Sequence, residues 1–276
     1  MIVHLVDGTY ELFRHFYGAR RATNGADTRF GGLRGVLAGV LQMIEKGATH
    51  IGVATDHVIE SFRNELWPGY KTGAGIDRVL WSQFHPLEEG LAAMGVAVWP
   101  MIELEADDAL ASAAYLAQSS AVVEKICIWT PDKDLAQCVV ADRVVQIDGR
   151  RNTIRDAAAI EAKFGVPPES IPDYLALVGD AADGYPGIPG FGKKRAAAIL
   201  KKFGHIEAID DSRLNEHREL ALLFKTLATL RRDAPLFASV DELRWRGPTA
   251  SFAEFAGRIE APELAARAER AAQKSQ

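Results

Sequence analysis

The chain has 276 residues, 48% of them hydrophobic and 25% charged, with a net charge of −5; this excludes a disordered or fibrous protein and allows one large core or two small ones. No apolar run reaches the roughly 18 residues a bilayer span needs, and residues 1–6 lack the length and basic flank of a signal peptide, so no membrane association is expected. The two cysteines, Cys127 and Cys138, have no zinc-like spacing or partner histidines; they fit a reducing cytoplasm and argue against a disulfide.

Residues 2–6 are an apolar run ending at Asp7 and read as a buried first strand. Similar runs at 50–54, 96–99, 125–129 and 143–147 alternate with helical patterns at 33–45, 87–94 and 106–117. Strand, helix, strand in repetition predicts an α/β fold, a mostly parallel central sheet with helices on both faces. Ligands of such sheets gather beyond the carboxyl ends of the strands, which is where Asp7, Asp56 and Asp132 fall. Two glycine-containing loops, 24–32 and 67–75, interrupt this half. Beyond about residue 165 strand signals fade, and Pro167, Pro168 and Pro172 introduce helices at 171–178, 193–203, 216–230 and 252–270. The expected division is an α/β core at 1–165 and a helical region at 166–276 packed on it, with residues 273–276 frayed.

Nine carboxylates fall into five clusters where a strand should end or a helix begin: Asp7; Asp56; Glu105, Asp107 and Asp108; Asp132 and Asp134; Asp180 and Asp183. Such a concentration is tolerable when divalent cations offset the repulsion, since hard oxygen ligands suit Mg²⁺. Blander readings exist for each cluster. Acids in a first helical turn complement the macrodipole, but three within four residues, after Glu103, exceed that need. Glu105 and Asp108, three apart, are expected on one helix face with Asp107 turned aside. Capping explains Asp132 after Thr130 and Pro131, but not Asp134, and Asp180 with Asp183 is a capping-type pair in isolation.

The residues after that pair change its weight. Residues 184–195 form a helix, hairpin, helix signature in which Gly190 and Gly192 let backbone amides approach a phosphate. Lys193, Lys194 and Arg195 then open the next helix, where the dipole also favours anions. Between 190 and 204 the basic residues Lys193, Lys194, Arg195, Lys201 and Lys202 meet no acid, which favours a sequence-independent grip on a nucleic-acid backbone. Upstream, residues 62–71 interleave aromatics with Arg63 and Lys71. Phe62, Leu66 and Trp67 are expected in the core, and Tyr70 and Lys71 near substrate.

In these pieces the chain resembles the 5′-nucleases: the 5′→3′ exonuclease domain of bacterial DNA polymerase I, phage 5′-exonucleases and flap endonucleases. The resemblance runs from Val3-His4-Leu5-Val6-Asp7-Gly8 to about residue 250. It is most specific at Glu105-Ala106-Asp107-Asp108, at Thr130-Pro131-Asp132-Lys133-Asp134-Leu135 and from Gly179-Asp180 to Gly192. It implies a PIN-like core with an H3TH hairpin, and a metal-dependent phosphodiesterase acting on flapped, nicked or branched DNA to leave 5′-phosphates. By position Asp7, Asp56, Glu105, Asp107, Asp108 and Asp132 match ligands of catalytic Mg²⁺ (or Mn²⁺) ions, and Asp134, Asp180 and Asp183 those of a more distant ion. Lys71 matches a basic residue near the scissile phosphate and Tyr70 a stacking aromatic, with Arg63 counted beside them among catalytic candidates. Lys194 and Arg195 match backbone-binding positions, and a K⁺ ion is implied on carbonyls near Gly187, Ile188 and Gly190.

The segment 72–95, where the family builds an arch over the active site, is short and holds Arg78 as its single Lys or Arg, which leaves exonuclease or flap preference open. No polymerase domain follows, so the enzyme is expected to act alone, as a monomer, or with a polymerase in trans. Two rivals remain. A PIN-type ribonuclease shares strand-end acids but normally lacks the hairpin, and a non-catalytic DNA-junction binder should have lost an acid.

Overall fold

A six-stranded sheet forms the centre of a computed structural model that describes residues 1–22 and 29–274. Strands β1 (Ile2–Asp7), β2 (His50–Asp56), β3 (Ala97–Met101), β4 (Lys125–Trp129) and β5 (Val144–Asp148) are parallel, and β6 (Thr153–Arg155) pairs antiparallel with β5. The apolar runs form strands because both faces are covered, as in parallel sheets generally; every residue of β2 except Asp56 is buried. The order is β3-β2-β1-β4-β5-β6. The chain builds outward from β1 on one side and returns to its other side for β4. The carboxyl end of β1, occupied by Asp7, is therefore the switch point where such sheets bind ligands.

Around the strands lie α1 (Gly8–Ala22), α2 (Gly31–Glu45), the single turns α3 (Arg63–Leu66) and α4 (Arg78–Trp81), α5 (Phe84–Ala93) and α6 (Ala106–Gln118). After the sheet come α7 (Ala157–Phe164), α8 (Ile171–Val178), α9 (Lys193–Phe203), α10 (Ser212–Asn215), α11 (Arg218–Ala228), α12 (Phe252–Arg258) and α13 (Pro262–Lys274). One sheet face shares a core with α1, α2, α5, α12 and α13, through residues such as Leu12, Leu37, Val53 and Phe252. The other face packs on α6 through Leu5, Ile128 and Leu110. A third core joins α8, α9 and α11 and takes in Tyr70 and Ala136 from the first half, so the helices are fastened to the sheet side. No helix among the described residues is long and apolar enough to cross a membrane.

Several expectations need correction. The pattern at 252–270 is two helices, because Glu260 turns to φ 55° and Pro262 starts a new one. Helix α1, α7 and the short strand β6 were not anticipated. Gln273 and Lys274 continue α13 instead of fraying, while Ser275 and Gln276 lie outside the described residues, as do 24–28 of the expected loop at 24–32. Leu66 is 40% exposed rather than in the core. Within 72–95, Leu80, Phe84, Leu87 and Leu91 are buried, so α4 and α5 belong to the packed body of the fold.

Candidate active site

Three strands deliver acids to one edge. Asp7 ends β1, where its Oδ1 accepts from the Tyr10 amide at 2.8 Å and its Oδ2 from Thr130 Oγ1 at 3.0 Å. Asp56 ends β2 and accepts from the Ala106 amide at 2.8 Å, which ties it to the start of α6. After β4, Thr130 Oγ1 also accepts from the Asp132 amide at 3.2 Å, and Asp132 Oδ1 accepts from the Asp134 amide at 3.1 Å. Gln146 on β5 donates to the Asp132 carbonyl and fixes this loop from below. Thr130 thus orients acids from two strands, a role its position as a cap did not reveal.

The loop carrying Asp180 and Asp183 reaches the same place by backbone interlock with residues 67–71. The Lys71 amide donates to the Asp183 carbonyl at 3.0 Å, and Trp67 Nε1 to the Gly184 carbonyl at 3.1 Å. Gly184 sits at φ 85°, and a Cβ there would stand 2.0 Å from the Gly69 carbonyl oxygen, so the two loops can touch this closely only with glycine. The Asp180 and Tyr185 backbones exchange hydrogen bonds at 2.8 and 3.0 Å, which closes the turn that presents both carboxylates.

The acids feel one another. Burial, with the Asp56 and Asp132 charges beyond it, pushes the Asp7 carboxyl up to about 7. Burial raises Asp107 well above the carboxylate range, and Asp132 and Asp7 raise it further. Asp134 is likewise driven well up by burial and by Asp132, Asp183 and Asp180. Burial raises Asp56 and Asp183 too, against the Lys71 charge. Lys71 stands 2.7 Å from Glu105 Oε2 and 3.2 Å from Asp183 Oδ1. Burial alone would lower the lysine, but these two carboxylates raise it well above its ordinary value. Lys133, unforeseen as a site residue, pairs with Asp180.

At the helix start Glu105 and Asp108 share one face as expected, with Arg63 Nη1 meeting them at 3.1 and 2.7 Å, and Asp107 is turned aside from it. Asp107 is the residue whose charge meets Asp132, Asp7 and Asp134. Asp108 turns inward and is 0% exposed. As the third residue of a capping box its Oδ2 accepts from the Glu105 amide at 3.0 Å. Both of its oxygens take 2.7 Å bonds from Arg63, and the Arg231 amide adds another at 2.8 Å. Arg63 is also a correction. It is 1% exposed, and its remaining donors go to Glu105 Oε1 at 3.1 Å and to the carbonyls of Leu227 and Thr229 at 2.8 and 3.2 Å. It clamps α3, α6 and the end of α11 together, with all three of its nitrogens committed to protein oxygens. Tyr70 is 4% exposed with its hydroxyl 3.2 Å from Glu105 Oε2, so its ring is not open for stacking. Glu105 bridges both settings, and Ser61 Oγ holds its Oε1 at 2.6 Å.

Asp134, Asp180 and Asp183 each offer a carboxylate oxygen within 4.8 Å of the others, and Asp134 Oδ1 is buried without a hydrogen-bond partner among the described residues. An orphaned buried acceptor is expensive. A hard divalent cation satisfies it and lowers the mutual repulsion, so the donor set fits such an ion.

Below the acids, α8, a hairpin and α9 form the helical hairpin. Gly187, at φ 75°, would place a Cβ 2.4 Å from the Gly179 amide nitrogen, which fixes the tight turn. Gly187 and Ile188 are buried and Gly190 exposed at this turn, and the Ile188 carbonyl accepts from Phe191 at 3.1 Å. Gly192, Lys193 and Lys194 are exposed at the start of α9. Arg195 is half-committed: it pairs with Asp211 at 2.7 Å and lies over the Phe191 ring. Replacing Lys193 and Lys194 with alanine is expected to weaken binding to any duplex and to reduce the slope of log K against log salt by about 0.9 per lost phosphate contact. Salt-titrated anisotropy checks this, and Arg195→Ala should do less.

An α/β sheet that collects acids at its switch point beside a basic helical hairpin defines the class. The chain belongs to the 5′-3′ exonuclease family: the N-terminal resolvase-like domain of that family matches residues 2–165 and its C-terminal SAM fold residues 166–251. DNA polymerase I of Bacillus caldotenax is 32% identical over 88% of this chain, which spans 29% of the polymerase's length. Flap endonuclease Xni of Edwardsiella ictaluri is 34% identical over 70% of this chain and 79% of its own. The T5 D15 protein co-crystallized with metal ions shares the fold, with a TM-score of 0.69 at 18% identity over 96% of this chain and 100% of that one.

Proposed function

We propose that this protein is a structure-specific 5′ nuclease that hydrolyses DNA phosphodiester bonds with divalent metal ions and leaves 5′-phosphates. The observation that carries the reading is the buried acid cluster containing an unpartnered Asp134 oxygen. Asp7, Asp56, Glu105, Asp107 and Asp132 would hold one Mg²⁺ or Mn²⁺, and Asp134, Asp180 and Asp183 another. Such ions, when bound, polarise the scissile phosphate and make a neighbouring water acidic. Lys71, held by Glu105 and Asp183, would meet a phosphate oxygen as the strand enters. Asp108 acts at one remove, by fixing Arg63 and with it Glu105. Lys193 and Lys194 would grip the duplex from the helical region, 166–276, while 1–165 carries the chemistry, and the turn at Gly187, Ile188 and Gly190 would offer carbonyls to K⁺.

We place the activity in the cytoplasm, which the free cysteines Cys127 and Cys138 support, in a monomer. A DNA polymerase as source of the flap is supported by the match to part of DNA polymerase I. The test is digestion of end-labelled 5′-flap, nicked, blunt and single-stranded DNA, with an RNA flap alongside, in Mg²⁺ or EDTA. The expected result is metal-dependent release of 5′-phosphorylated DNA fragments. Cleavage that ignores EDTA, or that prefers RNA, would contradict it.

A pH dependence arises from the same acids. Asp7 rises from an ordinary 3.8 to about 7 in the folded protein, so between these values the folded state holds more protons than the unfolded one. The contribution of Asp7 to metal-free stability is therefore greatest below its ordinary value and falls as pH climbs toward about 7. Thermal unfolding in EDTA should show this decline, and excess Mg²⁺ should remove most of it, with the gap between the two curves widening as pH rises.

A further inference from the structure

Two buried polar atoms beside the hairpin loop have no hydrogen-bond partner among the described residues: Asp134 Oδ1 and the Tyr185 hydroxyl. The carboxylate suits a cation, while the phenol lies outside the set of acids and has no use in the chemistry of phosphate cleavage. Tyr185 is 1% exposed, and a polar group left unpaired at that depth is costly enough to call for a partner.

The phenol has no freedom to seek one elsewhere. The Tyr185 and Asp180 backbones exchange hydrogen bonds at 2.8 and 3.0 Å. The Tyr185 ring lies 5.3 Å from that of Phe224 at 32°, and Phe224 meets Trp67 edge-on at 5.1 Å. Trp67 in turn donates to the Gly184 carbonyl, so the ring is locked between the hairpin loop and α11. Asp134 is as firmly placed. It opens the 3₁₀ turn Asp134–Cys138, whose Ala136 packs in the same core as Tyr185. Its amide donates to Asp132 Oδ1 at 3.1 Å, and Gln137 Nε2 donates to its carbonyl at 2.9 Å.

The charges acting on the phenol come from the same acids. Burial first, then Asp134, Asp180 and Asp183, push it well above its ordinary value, so the hydroxyl keeps its proton and stays a neutral group able to accept and donate. A Mg²⁺ ion takes few carboxylates and keeps several of its waters, and each coordinated water is a donor that needs an acceptor. A buried phenol supplies one without adding charge to a site that already holds three carboxylates.

We propose that the Tyr185 hydroxyl accepts a hydrogen bond from a water carried by the ion at Asp134, Asp180 and Asp183, and so positions that ion's hydration shell. The proposal rests on the reading of these acids as metal ligands. Tyr185 is a positioning residue, acting through water and touching neither substrate nor reacting atoms.

Tyr185→Phe removes one oxygen and keeps the packing of the ring, and two opposite effects are expected of it. In EDTA the variant should unfold about 2–4 °C above wild type, because the unpaired hydroxyl is gone. In calorimetric titration with Mn²⁺, the ion that Asp134→Asn loses should bind about 10–100-fold more weakly. Added to Asp134→Asn, the same change should cost little further affinity. Wild-type affinity in Tyr185→Phe, an equal loss in the Asp134→Asn background, or a Tm in EDTA at or below wild type would overturn the proposal, and failure to fold counts with the last. Wild type that binds no Mn²⁺ removes the metal reading itself, whereas wild type that binds it while Tyr185→Phe matches removes only this inference.

Discussion

Asp107→Asn is expected to lose cleavage of a 5′ flap by well over the roughly 10–100-fold typical of an outer-shell partner, with DNA affinity retained or raised. Asp107 is the α6 acid whose charge meets Asp132, Asp7 and Asp134. The amide removes an anionic oxygen from the set that would hold metal, and also removes repulsion that burial makes severe. Two opposite effects should therefore appear in one variant. Activity collapses, while the metal-free protein gains stability over wild type as pH rises, because wild-type Asp107 is then forced toward ionisation. Single-turnover cleavage, anisotropy in EDTA and thermal unfolding separate these effects. A variant that cuts normally, or that loses stability in EDTA, would remove Asp107 from the pocket.

Arg63→Ala is expected to act on the fold. It deletes a 1% exposed guanidinium and leaves Asp108, 0% exposed, with a charge and no cation. Breaking a buried pair from one side costs about 3–5 kcal/mol, a large part of the roughly 5–15 kcal/mol that holds a typical domain together. At roughly 2–4 °C per kcal/mol for chains of this size, Tm should fall by about 10 °C. The double variant Arg63→Met with Asp108→Leu should recover much of the loss, because it removes both charges and refills the volume. A directly catalytic arginine would behave otherwise: activity would vanish at unchanged Tm, and the double variant would rescue nothing. The clamp also joins Leu227 and Thr229 to α6, so loosening it should disturb the helical region along with the acids.

The acid clusters, the parallel sheet and the hairpin were legible because each is written in contiguous residues. Apolar runs end in Asp7, Asp56 and Asp132, and glycines precede Lys193 at a helix start. Helices 171–178 and 193–203 match α8 and α9, bounded by the proline and glycine that signal them. What could not be read depends on partners far along the chain. Spacing placed Glu105 and Asp108 on one face, where Arg63 meets both, but it could not show which face of α6 meets the acids of the sheet. Asp108 folds back as a capping-box residue and meets a guanidinium 45 residues away, which leaves Asp107 to the pocket. Tyr70 and Arg63 looked available because local pattern carries no measure of burial. Lys133 lies between two acids and carries no local signal of its role, since its pairing with Asp180 appears only once the hairpin loop packs beside β4. The break near Glu260 is signalled by Pro262, against the continuous apolar period of 252–270.

The most direct test of the acid pocket is calorimetric titration of the metal-free protein with Mn²⁺ near pH 6.5, in two buffers of different ionisation enthalpy. A carboxyl raised as Asp7 is, to about 7, must give up its proton when a cation binds. The heats should therefore differ between buffers by an amount corresponding to net proton release, and Asp134→Asn should reduce both the binding and the release. Heats that coincide in the two buffers, or no Mn²⁺ binding at all, would contradict the pocket described here.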